Sequence, residues 1–160
     1  MLIRKALRSD CDAMWTIFKD VISDADTYVF HPDMSKERAL SYWMGDGVHT
    51  YVYTEKSQVL GTFIIRDNQP DLGAHVANAS FMVCKTARGK GIGRIMGECA
   101  LKEAKELGYR AMQFNMVVVT NVQAVELWIK LGFDIIGTLP EVFYDAQRGF
   151  VDAHIMHRYL

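Results

Sequence analysis

The sequence is poor in the residues that staple a chain, coordinate metals or cross membranes. It has only three cysteines, Cys11, Cys84 and Cys99, an odd number at wide spacing. No Cys-x-x-Cys pair and no Cys/His cluster is present, which argues against a zinc ribbon or a redox dithiol. Free thiols in a chain of this size fit a reducing compartment. His31, His49, His75, His154 and His157 show no metal-ligand spacing, so no metal is expected. Prolines are few, and Pro32, Pro70 and Pro140 each fall where a turn is expected. No apolar run approaches the roughly 18 residues of a membrane span. The opening stretch, MLIRKALRSD, lacks the long apolar segment of a secretory signal. A cytoplasmic protein without membrane contacts is the expectation. Charge of one sign is missing too. The 18 Lys+Arg against 19 Asp+Glu leave a formal −1, so no global basic field recommends a nucleic acid partner. Any anion site must be local.

What is present is an ordinary globular composition, 50% apolar and 23% charged over 160 residues. That length supports one domain, 1–160, with its own core. No repeat, linker or biased segment interrupts it. Residues 2–7 read as a short strand. Ser9 and Asp12 signal a helix start, with Ala13, Met14, Ile17, Phe18, Val21 and Ile22 at helical spacing. A loop over 24–33 carries Tyr28, Phe30 and His31. Ser35 opens a second helix through Trp43 to Gly45. Residues 48–54 and 58–66 form a hairpin, and 76–84 a further strand. Helix–strand alternation follows: a helix over 91–107 stopped by Gly108, a strand over 110–119, and a helix capped by Asn121 and closed by Gly132. On the first of these helices Glu98 and Lys102 are spaced as an ion pair. Strands over 133–138 and 150–158 end the chain, joined by a loop. This order predicts an α+β fold with a mixed sheet rather than a doubly wound one.

The chemistry is concentrated in Arg88-Gly89-Lys90-Gly91-Ile92-Gly93-Arg94, between a strand and a long amphipathic helix. Alternate glycines there let backbone N–H groups point outward at a positive helix end, which is an anion site with phosphate as its usual occupant. The nucleoside-triphosphate pattern G-x-x-x-x-G-K-[ST] is absent. The dinucleotide pattern G-x-G-x-x-G fails in both registers, at Arg94 and at Met96. A plain glycine-rich turn with solvated basic residues is the bland alternative.

Arg88, Gly91 and Gly93 fit Arg-x-x-Gly-x-Gly, which resembles the acetyl-CoA signature of the Gcn5-related N-acetyltransferases. Asn121-Val-Gln-Ala124, Leu127-Trp128 and Leu131-Gly132-Phe133 resemble that family's later helix and the Gly-Phe turn after it. The element order matches over essentially the whole chain. The resemblance implies a mostly antiparallel sheet of six or seven strands with about four helices, in three α/β/α layers. It implies acetyl-CoA as co-substrate in a V-shaped opening between 76–84 and 110–119. The donor's pantetheine would bond the backbone of Phe81, Met82 and Val83, and its pyrophosphate would lie over Arg88, Gly89, Lys90, Gly91, Ile92, Gly93 and Arg94. Dimers are frequent in the family, so a homodimer is among the implied assemblies. Trp128 departs from the pattern, because many members carry there the Tyr that protonates the leaving thiolate, and Trp has no useful acid pKa. Its bland alternative is a core aromatic.

Three asparagines carry the remaining expectations. Asn115 interrupts an apolar strand, and a buried Asn needs a partner for its amide. Asn78 precedes the glycine motif, and Asn121 follows the 110–119 strand. Their spacing, with Gly149-Phe150-Val151-Asp152-Ala153, resembles a subgroup that acetylates proline analogues such as azetidine-2-carboxylate. That resemblance implies Asn78 and Asn115 as substrate ligands, and Asn115 and Asn121 as catalytic groups, with Asn121 also beside the cofactor. Asn121 can equally be a plain N-cap, and Asn78 can bond a neighbouring strand. The loop residues Tyr28, Val29, Phe30 and His31 and the helix bearing Trp43 are candidates for the acceptor wall, with simple packing of the two N-terminal helices on the sheet as the alternative. The expected activity is acetyl transfer from acetyl-CoA to the amine of a small molecule, an amino acid or analogue, by direct attack. A non-catalytic acyl-CoA sensor and an acetyltransferase for a protein amine are the alternatives.

Overall fold

The computed structural model describes residues 2–160. Strand β1 (Leu2–Lys5) leads through a 3-10 turn (Arg8–Asp10) into α1 (Cys11–Ile22), and α2 (Lys36–Met44) follows. Then come β2 (His49–Glu55), β3 (Gln58–Asp67), β4 (Val76–Val83), α3 (Ile92–Glu106), β5 (Ala111–Val118), α4 (Val122–Lys130), β6 (Asp134–Asp145) and β7 (Gly149–Tyr159). One seven-stranded sheet has the order β1-β2-β3-β4-β5-β7-β6. Only β4 and β5 pair in parallel.

Strand alternation sends successive side chains to opposite faces, and helices cover both. On one face α1 and α2 bury Met14, Phe18, Trp43, Val52, Ile64 and Met82 together. On the other, α3 and α4 bury Phe63, Met96, Ala100, Phe114, Trp128 and Phe133. Three α/β/α layers result, as expected. Gly97 allows the close approach of α3 and α4, since a Cβ there would come within 2.6 Å of Leu131.

Several local expectations need correction. The helix start is not set by Ser9 and Asp12. Asp10 is fixed instead, accepting from both guanidinium ends of Arg4 at 2.6 and 2.8 Å and from the Leu7 N–H at 2.7 Å. The Arg4 hydrogen bonds hold its carboxyl below the usual carboxylate range, although burial opposes them. Glu98 pairs with Arg94 at 2.8 Å rather than with Lys102. Strand β6 runs past Pro140 to Asp145. A shift in register between Leu139 and Phe143 accommodates the proline. Glu141 there has φ +53°, and its N–H finds the Asp152 carboxylate at 2.9 Å. On the helix that bears it, Trp43 itself packs as core: it is buried, and its indole N–H donates to Thr62 Oγ1 at 2.9 Å.

Candidate active site

The site begins where two parallel strands part. β4 and β5 pair only at Val76–Ala111 and Ala77–Met112, and then diverge. Backbone parity on β4 is fixed at both ends by bonds to the β3 side. Asn68 N–H donates to Val76 C=O at 2.8 Å, and Cys84 N–H donates to Leu60 C=O at 2.9 Å. The even residues 76 to 84 therefore turn their backbone groups toward β3, while Ala79, Phe81 and Val83 turn theirs into the gap. Phe81 and Val83 lie on the open edge, where a pantetheine was expected. Met82 does not: its backbone faces β3 and its side chain is buried in the α1/α2 core.

The Phe81 groups already have a partner. The Tyr28 hydroxyl donates to Phe81 C=O at 2.7 Å and accepts from Phe81 N–H at 3.0 Å. Burial holds the Tyr28 proton well above the ordinary phenol range. Tyr28 is thus inside the V, at its β4 edge. Phe30 stacks on it, with ring centroids 6.0 Å apart.

At the wide end of the V, Gly89 and Gly91 have φ +76° and +77°, backbone that only glycine adopts readily. Gly91 is the N-cap of α3, and the first helical bond runs from Ile95 N–H to Gly91 C=O. The N–H groups from Gly89 through Arg94, Lys90 and Ile92 included, have no acceptor among the described residues. They form an anion cradle at the positive end of a 15-residue helix. The Arg94 guanidinium is turned away to Glu98, so Arg94 offers the cradle its N–H rather than its charge. Arg88 lies 3.9 Å from Asp24, which also holds Lys85 at 2.7 Å. The loop bearing Tyr28 is thereby tied to the cradle as well as to β4.

The opposite wall comes from α4. Asn121 is its N-cap, accepting from Ala124 N–H at 3.3 Å, and its amide nitrogen has no partner among the described residues. Trp128 is buried among Phe81, Phe114 and Phe133, with centroids 4.8, 4.7 and 6.0 Å away. It closes the α3/α4 side of the V as core.

On the α1/α2 face the structure brings Asn78 and Asn115 together through Asn68. Asn78 Nδ2 donates to Gln113 C=O at 3.0 Å, bridging β4 and β5 one residue beyond their last backbone pair. It also approaches Asn68 Oδ1 at 3.5 Å, and Asn115 Nδ2 donates to the same oxygen at 2.7 Å. Gln113 Nε2 donates to Asn115 Oδ1 at 2.9 Å. Asn115 is exposed on its strand, so the expectation of a buried Asn fails: its side chain faces away from the apolar neighbours. Asn121 is not part of this cluster. Sequence reasoning missed Asn68, Gln113, Tyr42 and Arg66, which face the same side. His75 stands at the closed end, bonded to Leu72 C=O at 3.1 Å. A wide depression of about 570 Å³ lies on the outer side of the Arg94–Glu98 pair, lined also by Lys130, Asp134, His157 and Arg158, and shares only Arg94 with this apparatus. Among the described residues no cluster could hold a metal ion. No described helix is long and apolar enough to cross a membrane.

A strand edge left open beside a helix-capping N–H cradle is the geometry of an acyl-CoA site. Comparison with known proteins agrees. Residues 11–133 match the model of the acetyltransferase (GNAT) family. A GCN5-related N-acetyltransferase from Kribbella flavida is 42% identical, with TM-score 0.95 over 99% of this chain and 97% of that one. The N-acetyltransferase aca1 of Schizosaccharomyces pombe is 35% identical over 101 residues, 62% of this chain and 48% of aca1. The chain thus spans about half the length of that curated relative. The putative acetyltransferase yncA from Salmonella typhimurium, solved with its cofactor acetyl-CoA, shares the fold at TM-score 0.90 and 23% identity, over 100% of this chain and 94% of that one. The chain belongs to the acetyltransferase (GNAT) family.

Proposed function

We propose that the protein moves an acetyl group from acetyl-CoA to the amine of a small molecule seated on the α1/α2 face of the sheet, an amino acid or analogue. One observation carries this proposal: the N–H run from Gly89 to Arg94, without an acceptor among the described residues, lies one short 3-10 turn beyond the β4 edge at Ala79 and Val83, where Tyr28 holds the Phe81 groups between them. Diphosphate chemistry suits the first and an extended amide chain the second. At the edge the Phe81 N–H can polarise a thioester carbonyl as an oxyanion site does, once Tyr28 yields it. Asn115 and Asn78 would hold the acceptor. The free amide nitrogen of Asn121 would face the thioester or the leaving sulfur. The neutral amine attacks directly, and its proton leaves by way of water. The asparagine spacing, with Gly149-Phe150-Val151-Asp152-Ala153, favours a proline-like acceptor.

A non-catalytic acyl-CoA sensor is the second reading, favoured by Trp128, which puts a core aromatic where an acid is usual. Titration calorimetry with acetyl-CoA, followed by a free-thiol release assay over a panel of amines, separates the two. Binding with turnover of small amines supports the transferase. Binding without turnover of any amine leaves the sensor, and turnover of peptide amines alone would move the acceptor to a protein.

A further inference from the structure

We propose that Arg66 anchors a carboxylate in the acceptor site, so that the preferred acceptor is an amine carrying a carboxylate close to its nitrogen. This deepens the transferase proposal and rests on it for the identity of the site. Arg66 is paired in register with Asn78 across β3 and β4. Two residues before it, Ile64 is buried in the α1/α2 core. Strand alternation therefore puts the Arg66 side chain on the same face as Asn78. Three residues along β4 from Asn78, at about 3.3 Å per residue, the open edge at Phe81 is reached. An anchor and a reacting centre about 10 Å apart along the strand are within the joint reach of an arginine side chain and a small amino acid.

The guanidinium is half-buried and has no carboxylate partner among the described residues. Its sequence neighbour Asp67 is on the opposite face and accepts from the Tyr109 hydroxyl at 2.7 Å. Tyr42 of α2 fixes Arg66 instead. One guanidinium nitrogen donates to the Tyr42 hydroxyl at 2.6 Å, and the Cζ atom is 4.4 Å from the Tyr42 ring centroid. A stacked guanidinium keeps its planar fork pointed in one direction, and only one of its donors is used here. The remaining donors suit a carboxylate. The Tyr42 ring packs edge-on against Phe30 at 4.8 Å, and Phe30 packs on Tyr28, so an aromatic wall runs from Arg66 to the Phe81 edge. The nearby amides of Asn68, Asn78, Gln113 and Asn115 are neutral and bonded mainly to one another. Arg4 on the same face is neutralised by Asp10, whereas no carboxylate among the described residues pairs with Arg66.

The test uses the full chain saturated with CoA, so that it does not depend on turnover. Calorimetry compares N-acetyl-L-proline, N-acetylglycine and N-acetyl-L-alanine with their primary amides. The wild type is expected to bind at least one acid more tightly than its amide, by about 10-fold to 100-fold, the weight of a charge-assisted hydrogen bond. Arg66→Leu should abolish that preference, while Arg66→Lys should keep part of it. Acetyl-CoA affinity should stay unchanged in both. A purely structural brace would lower the melting temperature of Arg66→Leu and leave the acid-to-amide ratio intact, and that result overturns the proposal. So does the lack of any acid preference in the wild type. Thiol release from acetyl-CoA with the free amino acids is run in parallel. If no amine turns over, the transferase proposal fails, while the binding ratio still decides the anchor.

Discussion

The two halves of the proposed site, donor and acceptor, are built from different materials. The donor half is almost all backbone: N–H groups of Gly89 to Arg94 and the strand edge at Ala79, Phe81 and Val83. The acceptor half is almost all side chain: Tyr28, Phe30, Tyr42 and Arg66 with the amides of Asn68, Asn78, Gln113 and Asn115. Backbone recognition depends on where the chain turns and which way a strand edge faces. It tolerates changes in side chains and is sensitive to φ. Side-chain recognition reverses both sensitivities. The Tyr28 hydroxyl joins the halves, since it belongs to the acceptor loop and binds a donor-side peptide.

The sharpest way to break the donor half is Gly91→Val. A β-branched residue at φ +77° is a true outlier, although no neighbouring atom opposes its Cβ. Strain of order 1–3 kcal/mol falling on the bound loop weakens acetyl-CoA by about 10-fold or more. Calorimetry reads this directly, and an unchanged Kd would remove the loop from the donor site. Tyr28→Phe tests the junction. It leaves two part-buried peptide groups of Phe81 without their protein partner in the free protein, a loss of about 1 kcal/mol or more. Acetyl-CoA would then take those groups without displacing a hydroxyl. Its stabilising effect in urea melts should be larger for the variant than for the wild type. A smaller effect would mean that the hydroxyl helps to bind the donor.

The same division explains what was legible in the sequence. The glycine motif and the Asn121 cap are local, because each is set by a few consecutive residues, so Gly89 to Arg94 and the start of α4 were readable. The α/β/α layering followed from periodicity at positions such as Phe18, Ile64 and Met96. The acceptor half was less readable because it is assembled across elements. Arg66 looks like the polar end of a strand until its face is known, and only the pairing with Asn78 gives that face. Tyr28 sits in a loop without periodicity, so its bonds to Phe81 had no signal. Met82 turns its backbone to β3 and Asn115 stands exposed for one reason that spacing alone does not show: along a strand, adjacent residues differ in which neighbour their backbone bonds and which face their side chain meets. Strand β6 was cut short because a proline ends a regular ladder, and only a bulge with Asp152 beneath it carries the strand on.

Asn121 distinguishes a cap from a catalytic group. Asn121→Ala loses the bond to Ala124 N–H and should cost about 0.5–2 kcal/mol of stability. If its free amide nitrogen also acts on the thioester or the sulfur, kcat per folded molecule falls more than the amine KM rises. Denaturant melts and steady-state kinetics on one preparation resolve the two contributions. A stability loss with unaltered kcat would leave Asn121 as a cap alone.

The smallest effect belongs to Asn115→Ala. Asn115 is exposed, and its bonds to Asn68 and Gln113 are between partners that water can also satisfy. Stability should therefore change by no more than about 0.5 kcal/mol. The effect on binding has a different origin. Removing Asn115 frees the Asn68 oxygen and the Gln113 amide, so the cluster loses the order that would hold an acceptor. The amine KM should rise while acetyl-CoA affinity stays where it is, because no donor-side peptide contacts this amide. That split is one that neither a folding defect nor a donor defect produces. A matching rise in the acetyl-CoA Kd would show that the two halves are coupled through β5. Unchanged constants for both substrates would take Asn115 out of the site and leave the acceptor to Arg66, Asn78 and the aromatic wall.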